Sequence, residues 1–245
     1  MTTFQKSSAI TPRIARLKEK ILSARSTICT ERARIYTRVY REHEDTPVLL
    51  KRAYALDLTL KEMTIFIDEG ELIAGNQSSA LRAAPIFPEY VTSWIIRELD
   101  EFDKRPGDAF FVTEEQKKEL RELCRYWEGK TLIERGYSLM SPLNREIHES
   151  GIIRAEGNLT SGDAHIAVNL EKLLSIGLNG YLGEIEKAES KLKGSAKEHE
   201  KKKNFYSALK TGIRSFSAFI ERYERLALEL SLNASGKERK AELIR

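Results

Sequence analysis

The chain has 245 residues, of which 41% are hydrophobic and 32% are charged, a composition that excludes an intrinsically disordered or membrane-embedded protein. The sequence has no apolar run of about 18 residues that could span a bilayer, and residues 1–20 lack the apolar core of a secretory signal. We therefore expect a cytoplasmic protein with no membrane partner. The two cysteines form no C-x-x-C pair, which excludes a disulfide scaffold and the common zinc and redox motifs.

The net charge of +4 is concentrated in one segment. Residues 187–203 contain seven lysines and three glutamates, so the rest of the chain is neutral overall. A nucleic-acid-binding stripe would be broader and would include arginines and aromatic residues. The pattern favours a solvated connection between helices, with a sub-boundary over residues 186–203, and no nucleic-acid partner.

Three short helices are predicted at the start of the chain. Thr11-Pro12 and Thr46-Pro47 each combine a capping hydroxyl with a proline at the first helical position, where no N–H is needed. Thr30 precedes the helix that lies between them.

The pattern changes after the third helix. Residues 65–67 and 71–74 look like two short extended pieces joined by a turn at residues 68–70, which predicts a hairpin. Pro85 and Pro88 then bracket an irregular stretch.

Three more helices are predicted in the middle of the chain. The first contains Trp94 and Phe102 and stops before Arg105. The second begins with a capping box at Thr113 and Gln116, and a third short helix begins at Ser141.

A polar, glycine-rich stretch over residues 151–163 precedes a helix that Asn169 caps. Gly177, Gly180 and Gly183 interrupt this helix at three-residue spacing. Each helical glycine costs about 1 kcal/mol relative to alanine, so the three together predict close packing against another backbone.

The longest helical pattern covers residues 203–232 and has a wide apolar face without an obvious partner. Residues 237–245 then begin another helix, which has no C-terminal cap. We therefore expect residues 1–245 to be one region of a longer protein, incomplete at its C-terminus.

The sequence contains no P-loop, dinucleotide-binding, zinc-protease or nucleophile-elbow motif. Cys29 and Cys124 lie within predicted helices beside apolar residues, which predicts buried and inert thiols. His165 ends the glycine-rich stretch, where an imidazole either binds a small polar ligand or satisfies loop carbonyls. Arg154 and Asp163 either pair with each other or contact an anionic or hydroxyl-bearing ligand.

The order of several short motifs resembles the N-terminal portion of the pyruvate formate-lyase-like glycyl radical enzymes. The resemblance is greatest to the branch of the cobalamin-independent glycerol and propanediol dehydratases, hydroxyproline dehydratase, and the choline and isethionate lyases. The motifs are TERA (30–33), DEGELIAGN (68–76), PIFPE (85–89), RELD (97–100), YWEGKT (126–131), His165 with LLSIGL (173–178), RYERLA (222–227) and ERKAELI (238–244).

This resemblance implies a fold class that is mainly α with a few short strands, as the N-terminal helical segment of a ten-stranded α/β barrel. The loops that carry the thiyl-radical cysteine and the glycyl radical would lie beyond residue 245, and Cys29 and Cys124 are not in those motifs. We therefore expect this segment to bind no cofactor or metal and to be inactive alone. A radical S-adenosylmethionine activase would install the glycyl radical in the full-length enzyme, which would be a homodimer.

The resemblance also assigns candidate substrate-binding residues. His165 falls where diol and hydroxyproline dehydratases place a histidine on the substrate hydroxyl, although Ala164 stands where those relatives have glycine. Arg154 lies in the region where sulfonate-cleaving relatives place an anion-binding arginine. Asn158 and Asp163 are further candidates for hydroxyl contacts.

The implied activity is radical elimination from a small hydroxylated substrate, with loss of water as the first version. Cleavage of a C–S bond is the second and acyl transfer of the formate acetyltransferase type is the third. The alternative from another class is a non-catalytic helical subunit or interaction module, whose apolar faces a partner would cover. A nucleic-acid binder that uses residues 187–203 would show salt-dependent binding.

Overall fold

The computed structural model describes residues 10–152, 166–192 and 195–245. Within these ranges the chain is mainly α-helical with two three-residue strands, as the resemblance implied. The elements are α1 (Pro12–Ser23), β1 (Thr27–Cys29), α2 (Glu31–Glu42), α3 (Val48–Glu62), β2 (Ala83–Pro85), α4 (Ser93–Glu98), a 3-10 turn (Phe102–Lys104), α5 (Glu114–Trp127), α6 (Leu132–Ser138), α7 (Pro142–Glu149), α8 (Leu170–Glu189), α9 (Ala196–Asn233) and α10 (Lys237–Ile244).

The two strands are parallel, with Ile28 paired to Ala84. Parallel strands need a long crossover connection, which α2 and α3 provide here. On the other side of β1, Thr27 forms a bridge to Phe111. The strands and the helices α2, α4 and α5 enclose one apolar core, composed of Ile28, Ala33, Ile86, Ile95, Leu99, Phe102, Val112, Leu120, Leu123 and Cys124.

Most of the predicted helix starts are confirmed. The side chains of Thr11, Thr113, Ser141 and Asn169 each accept a hydrogen bond from a backbone amide in the first turn of their helix. The cap predicted at Thr46 is wrong, because α3 begins at Val48 after an extended residue 47.

The hairpin predicted over residues 65–74 is also wrong, although its turn exists. The Glu71 amide donates to the Asp68 carbonyl at 3.2 Å, and Gly70 has a φ of 87°. Two arginine side chains bind the carbonyls of this segment. Arg239 donates to Asp68 and Glu71 at 2.9 and 2.7 Å, and Arg13 donates to Gly70 at 3.1 Å. In a hairpin the Asp68 amide would donate to the Glu71 carbonyl. Here that carbonyl accepts from Arg239, the Asp68 amide donates to the Glu71 side chain at 2.8 Å, and residues 65–67 and 71–74 form no ladder.

Several other elements differ from the prediction. The expected helix from Trp94 to Phe102 divides into α4 and a separate 3-10 turn, and neither the strands β1 and β2 nor the helix α6 was anticipated. Helix α9 begins at Ala196, earlier than expected, after a capping box formed by Ser195 and Glu198.

The long helix α9 packs against α3, α8 and α10. These neighbours cover only part of the apolar face predicted from the sequence, because Tyr223 is buried but Phe205, Phe216 and Ile220 stay exposed. In the part of the chain that the structure describes, no helix has the length and apolar character needed to cross a membrane.

Candidate functional site

The four residues predicted to contact a substrate lie outside the described residues: Arg154, Asn158, Asp163 and His165. The structure describes the elements on both sides of residues 153–165, namely α7 before them and α8 after them. The contacts of α7 therefore show what holds the chain where it enters this segment.

Helix α7 leads into the segment and is attached to α6. The Arg145 Nη2 atom donates to the Tyr137 carbonyl at 3.1 Å, and the ring of His148 lies 4.9 Å from the ring of Tyr137. Both contacts join α7 to the C-terminal half of α6. The orientation of α7 therefore depends on how α6 is held.

Helix α6 is fixed by its first turn. The amides of Leu132 and Ile133, which have no partner inside their own helix, donate to the carbonyls of Glu89 and Tyr90 at 2.9 and 3.1 Å. The buried Thr131 caps the same turn in a capping box with Glu134. Residues 89–90 therefore anchor α6 to the core.

The Glu89 side chain is itself held in a buried ion pair. Arg32 donates from Nη1 and Nη2 to the two carboxylate oxygens at 3.1 and 2.5 Å. The guanidinium also lies 3.7 Å from the ring centre of Tyr36 and 4.0 Å from that of Phe87. Burial alone would lower the pKa of Arg32, but the hydrogen bonds and charge of Glu89 outweigh it, so this pKa is raised.

Sequence reasoning did not find this pair. Both residues lie in motifs that carried the family resemblance, TERA and PIFPE, but no role was assigned to either. A glutamate directly after an apolar stretch with two prolines was the available signal, because a buried carboxylate needs a cationic partner.

Large apolar side chains flank residues 153–165 on both sides. Ile152 is 85% exposed and Ile166 is 80% exposed, and Val168 and Leu170 are also exposed. Exposed apolar groups at this density mark a surface that contacts something else.

Two grooves lie along α9, which is not one of the helices that flank residues 153–165 in the sequence. One, of about 650 Å³, lies between residues 67–75, α9 and α10, and Phe216, Ile220 and Leu228 contribute to its wall. The other, of about 550 Å³, is bounded by Arg52, Tyr90 and the first half of α9. Among the described residues, no cluster of His, Cys, Asp and Glu could hold a metal ion.

Both cysteines are buried, as predicted, but Cys29 lies in the strand β1 and not in a helix, whereas Cys124 lies in α5. Burial raises the pKa of the Cys124 thiol to about 12, and the charge of Glu128 adds to the shift. This thiol is therefore protonated at neutral pH and is a poor nucleophile.

Comparison with known proteins identifies the family. The pyruvate formate lyase-like family profile matches residues 6–245. The chain is 42% identical over 217 residues to the probable dehydratase YbiW of Escherichia coli K12, and the aligned region covers 89% of this chain and 27% of that protein. It is 33% identical over 238 residues to the (2S)-3-sulfopropanediol dehydratase of Klebsiella oxytoca, and the aligned region covers 95% of this chain and 29% of that protein.

Solved structures agree with this assignment. The glycerol-bound form of the B12-independent glycerol dehydratase from Clostridium butyricum has a TM-score of 0.93 and 33% identity, over 98% of this chain and 30% of that chain. A glycyl radical enzyme from Archaeoglobus fulgidus has a TM-score of 0.84 and 33% identity, over 95% of this chain and 30% of that one. The chain thus spans about 30% of the length of these relatives. It belongs to the pyruvate formate lyase-like family of glycyl radical enzymes and corresponds to their N-terminal part.

Proposed function

We propose that residues 1–245 are the N-terminal region of a glycyl radical enzyme that removes water from a small hydroxylated substrate. The observation that carries this proposal is the similarity of nearly the whole chain to the glycerol dehydratase. The sulfopropanediol dehydratase and a structure of 1,2-propanediol dehydration from Roseburia inulinivorans add to it. The compounds in these three names are hydroxylated three-carbon molecules, which supports this substrate class.

In the proposed reaction the parts of the enzyme beyond residue 245 would supply hydrogen abstraction from the substrate by a thiyl radical, which depends on the glycyl radical that a radical S-adenosylmethionine activase would install. His165 would hydrogen-bond to the substrate hydroxyl and, as imidazolium, donate a proton to it as the C–O bond breaks and water leaves. Residues 1–245 would form one wall of the pocket, and on their own they would be inactive.

Arg154, Asn158 and Asp163 have secondary roles in this proposal. The planar guanidinium of Arg154 suits a carboxylate or sulfonate on the substrate, while Asn158 and Asp163 would bind further hydroxyl groups. Similarity to an isethionate sulfite-lyase of Desulfovibrio desulfuricans, 28% identical over 248 residues, keeps C–S cleavage as the second version. Acyl transfer of the formate acetyltransferase type is the third.

The remaining parts of the proposal concern assembly. We expect the rest of the barrel to cover the apolar groups that this chain exposes, such as Phe216 and Leu232 on α9. The full-length enzyme would be a cytoplasmic homodimer that binds its activase and no nucleic acid. Residues 1–245 would form one region, and the sub-boundary expected over residues 186–203 falls at the junction between α8, which ends at Glu189, and α9, which begins at Ala196.

The test uses the intact enzyme, activated anaerobically and supplied with glycerol, 1,2-propanediol, 3-sulfopropanediol or isethionate. His165→Ala should lower kcat/KM by about 10²–10⁴, the usual contribution of a general acid, while the glycyl radical signal in electron paramagnetic resonance stays the same. The matched control His199→Ala changes an exposed histidine on α9 and should leave kcat/KM unchanged. Full radical content with no dehydration of any diol would contradict the proposal.

The alternative of a non-catalytic helical module is favoured by the same exposed apolar faces. The source DNA downstream of codon 245 separates the two. An in-frame cysteine loop and glycyl loop support the enzyme, whereas an in-frame stop supports a module that needs a partner chain. Turnover of pyruvate with coenzyme A, and of no diol, would favour the acyl-transfer version.

A further inference from the structure

Helix α8 contains a sharp bend at Gly177. This residue has a φ of 63° and a ψ of −177° inside an otherwise helical segment. Such a backbone conformation is open to glycine almost alone, because a Cβ atom would clash with the neighbouring peptide groups. The bend divides the segment into an arm, residues 166–176, and a body, residues 178–189.

An ion pair shows that the arm folds back towards the body. The Lys172 Nζ atom lies 2.6 Å from Glu184 Oε2, and it also lies 5.0 Å from the ring centre of Tyr181. Lys172 and Glu184 are twelve residues apart, which in a straight helix corresponds to about 18 Å along the axis. That separation is beyond the combined reach of the two side chains. The ion pair can therefore form only in the bent helix.

Gly180 gives a second, steric sign of the bend. A Cβ atom on Gly180 would lie 2.6 Å from the Cβ atom of Ile176. In a straight helix, side chains four residues apart have Cβ atoms about 5–6 Å apart. The bend thus presses Ile176 onto Gly180. Around Gly183 a Cβ atom would meet nothing within 4 Å.

The three glycines therefore do not share one role. Close packing against a second backbone, which their spacing predicts, is wrong for the described residues. Gly177 permits the backbone angle, Gly180 leaves room for the side chain of Ile176, and Gly183 tolerates a larger residue.

Ion pairs attach the body to α9, whereas the angle of the bend sets the direction of the arm. Glu189 on the body pairs with Lys210 of α9 at 2.6 Å, and Glu186 lies 3.7 Å from Arg214 of α9. The arm instead exposes apolar side chains, with Leu174 85% exposed. A change of angle at Gly177 would move the arm relative to the rest of the protein.

We infer that Gly177, Gly180 and the Lys172–Glu184 ion pair form a conformational device that sets the direction of the arm. Gly177→Ala would shift α8 towards a continuous helix and would change the position of the exposed apolar face of the arm. This inference does not depend on the proposed function, because its measurement is a distance.

The test is carried out in the intact protein, with nitroxides attached to ketone-bearing residues at positions 171 and 187. Glu171 on the arm and Lys187 on the body are both exposed, and this chemistry leaves every cysteine native. Pulsed electron double resonance reports their separation. In a straight helix the two positions lie about 24 Å apart along the axis, which is farther than in the bent form.

Gly177→Ala and Gly180→Ala should both lengthen this distance, and the matched control Gly183→Ala in the same helix should leave it unchanged. Lys172→Met removes the ion pair and the contact of the ammonium group with Tyr181, and it should increase the long-distance fraction, so a second variant is available if Gly177→Ala is unstable. Equal distances in wild type, Gly177→Ala and Lys172→Met would overturn the inference, as would a lengthening in Gly183→Ala equal to that in Gly177→Ala.

Discussion

Replacing Glu89 with Gln is expected to destabilise the protein by about 3–5 kcal/mol, because the change leaves a buried guanidinium without its counter-charge. The side chains of Arg32 and Glu89 are only 15% and 6% exposed. Their two hydrogen bonds are charge-assisted, and bonds of this type contribute about 1.5–3 kcal/mol each. The amide of glutamine keeps one acceptor oxygen, so the loss of one bond accounts for about 1.5–3 kcal/mol and the unpaired charge of Arg32 for the rest.

The chain provides a matched control for this substitution. Arg34 and Glu119 also form a two-bond ion pair, but their side chains are 56% and 27% exposed. Glu119→Gln should therefore reduce the free energy of unfolding by only about 0.2–1 kcal/mol. Replacing Arg32 and Glu89 together by methionine should be close to neutral, because no buried charge is then left unpaired.

The assay is urea unfolding of the intact protein, combined with hydrogen exchange of the peptide that contains α6. The Glu89 carbonyl binds the first turn of α6, so Glu89→Gln should speed exchange there and Glu119→Gln should not. Equal losses of stability in the two variants would refute the argument that burial makes the Arg32–Glu89 pair important.

Three other outcomes follow from the described contacts. Cys124, with its pKa raised to about 12, should resist iodoacetamide at pH 8 in the folded protein and react only after unfolding, as peptide mass spectrometry would show. Desolvation opposes ionisation of Glu134, but hydrogen bonds from Thr131 and backbone amides outweigh it and lower the pKa of this carboxyl below 4.5. The ionised Glu134 therefore stabilises α6 above pH 4.5, and this stabilisation is lost as the pH falls through the lowered pKa. Glu134→Gln should flatten this acid dependence of hydrogen exchange in α6. Trp127→Phe removes a buried hydrogen bond of 2.8 Å to the Thr37 hydroxyl and should cost about 1–3 kcal/mol in urea unfolding, whereas an unchanged midpoint would contradict this assignment.

Local signals predicted the parts of the fold that local interactions determine. The hydroxyls of Thr11, Thr113 and Ser141 bind amides three residues away, and all three helix starts were predicted from such spacing. The reciprocal hairpin bond, from the Asp68 amide to the Glu71 carbonyl, is absent, and that carbonyl accepts instead from Arg239, 168 residues along the chain. No local pattern contains that contact.

The candidate site shows the same limit. The role of His165 came from the family resemblance and stays a prediction. The Arg32–Glu89 pair joins residues 57 positions apart. The apolar stretch before Glu89 indicates a buried carboxylate, but no local pattern identifies Arg32 as its partner. Only the folded core reveals that both side chains are buried together.

The two arginines that hold the turn at residues 68–71 have a consequence for synthesis of the chain. Glu242 on α10 binds both Arg13 and Arg239, so one carboxylate joins the beginning of the described chain to its end. Arg13 and Glu242 are 229 residues apart. A ribosome that adds about 5–20 residues per second leaves roughly 10–50 s between them, during which α1 lacks its acidic partner on α10. The nascent chain therefore exposes α1 and this turn to chaperones and proteases longer than it exposes the core around Leu99.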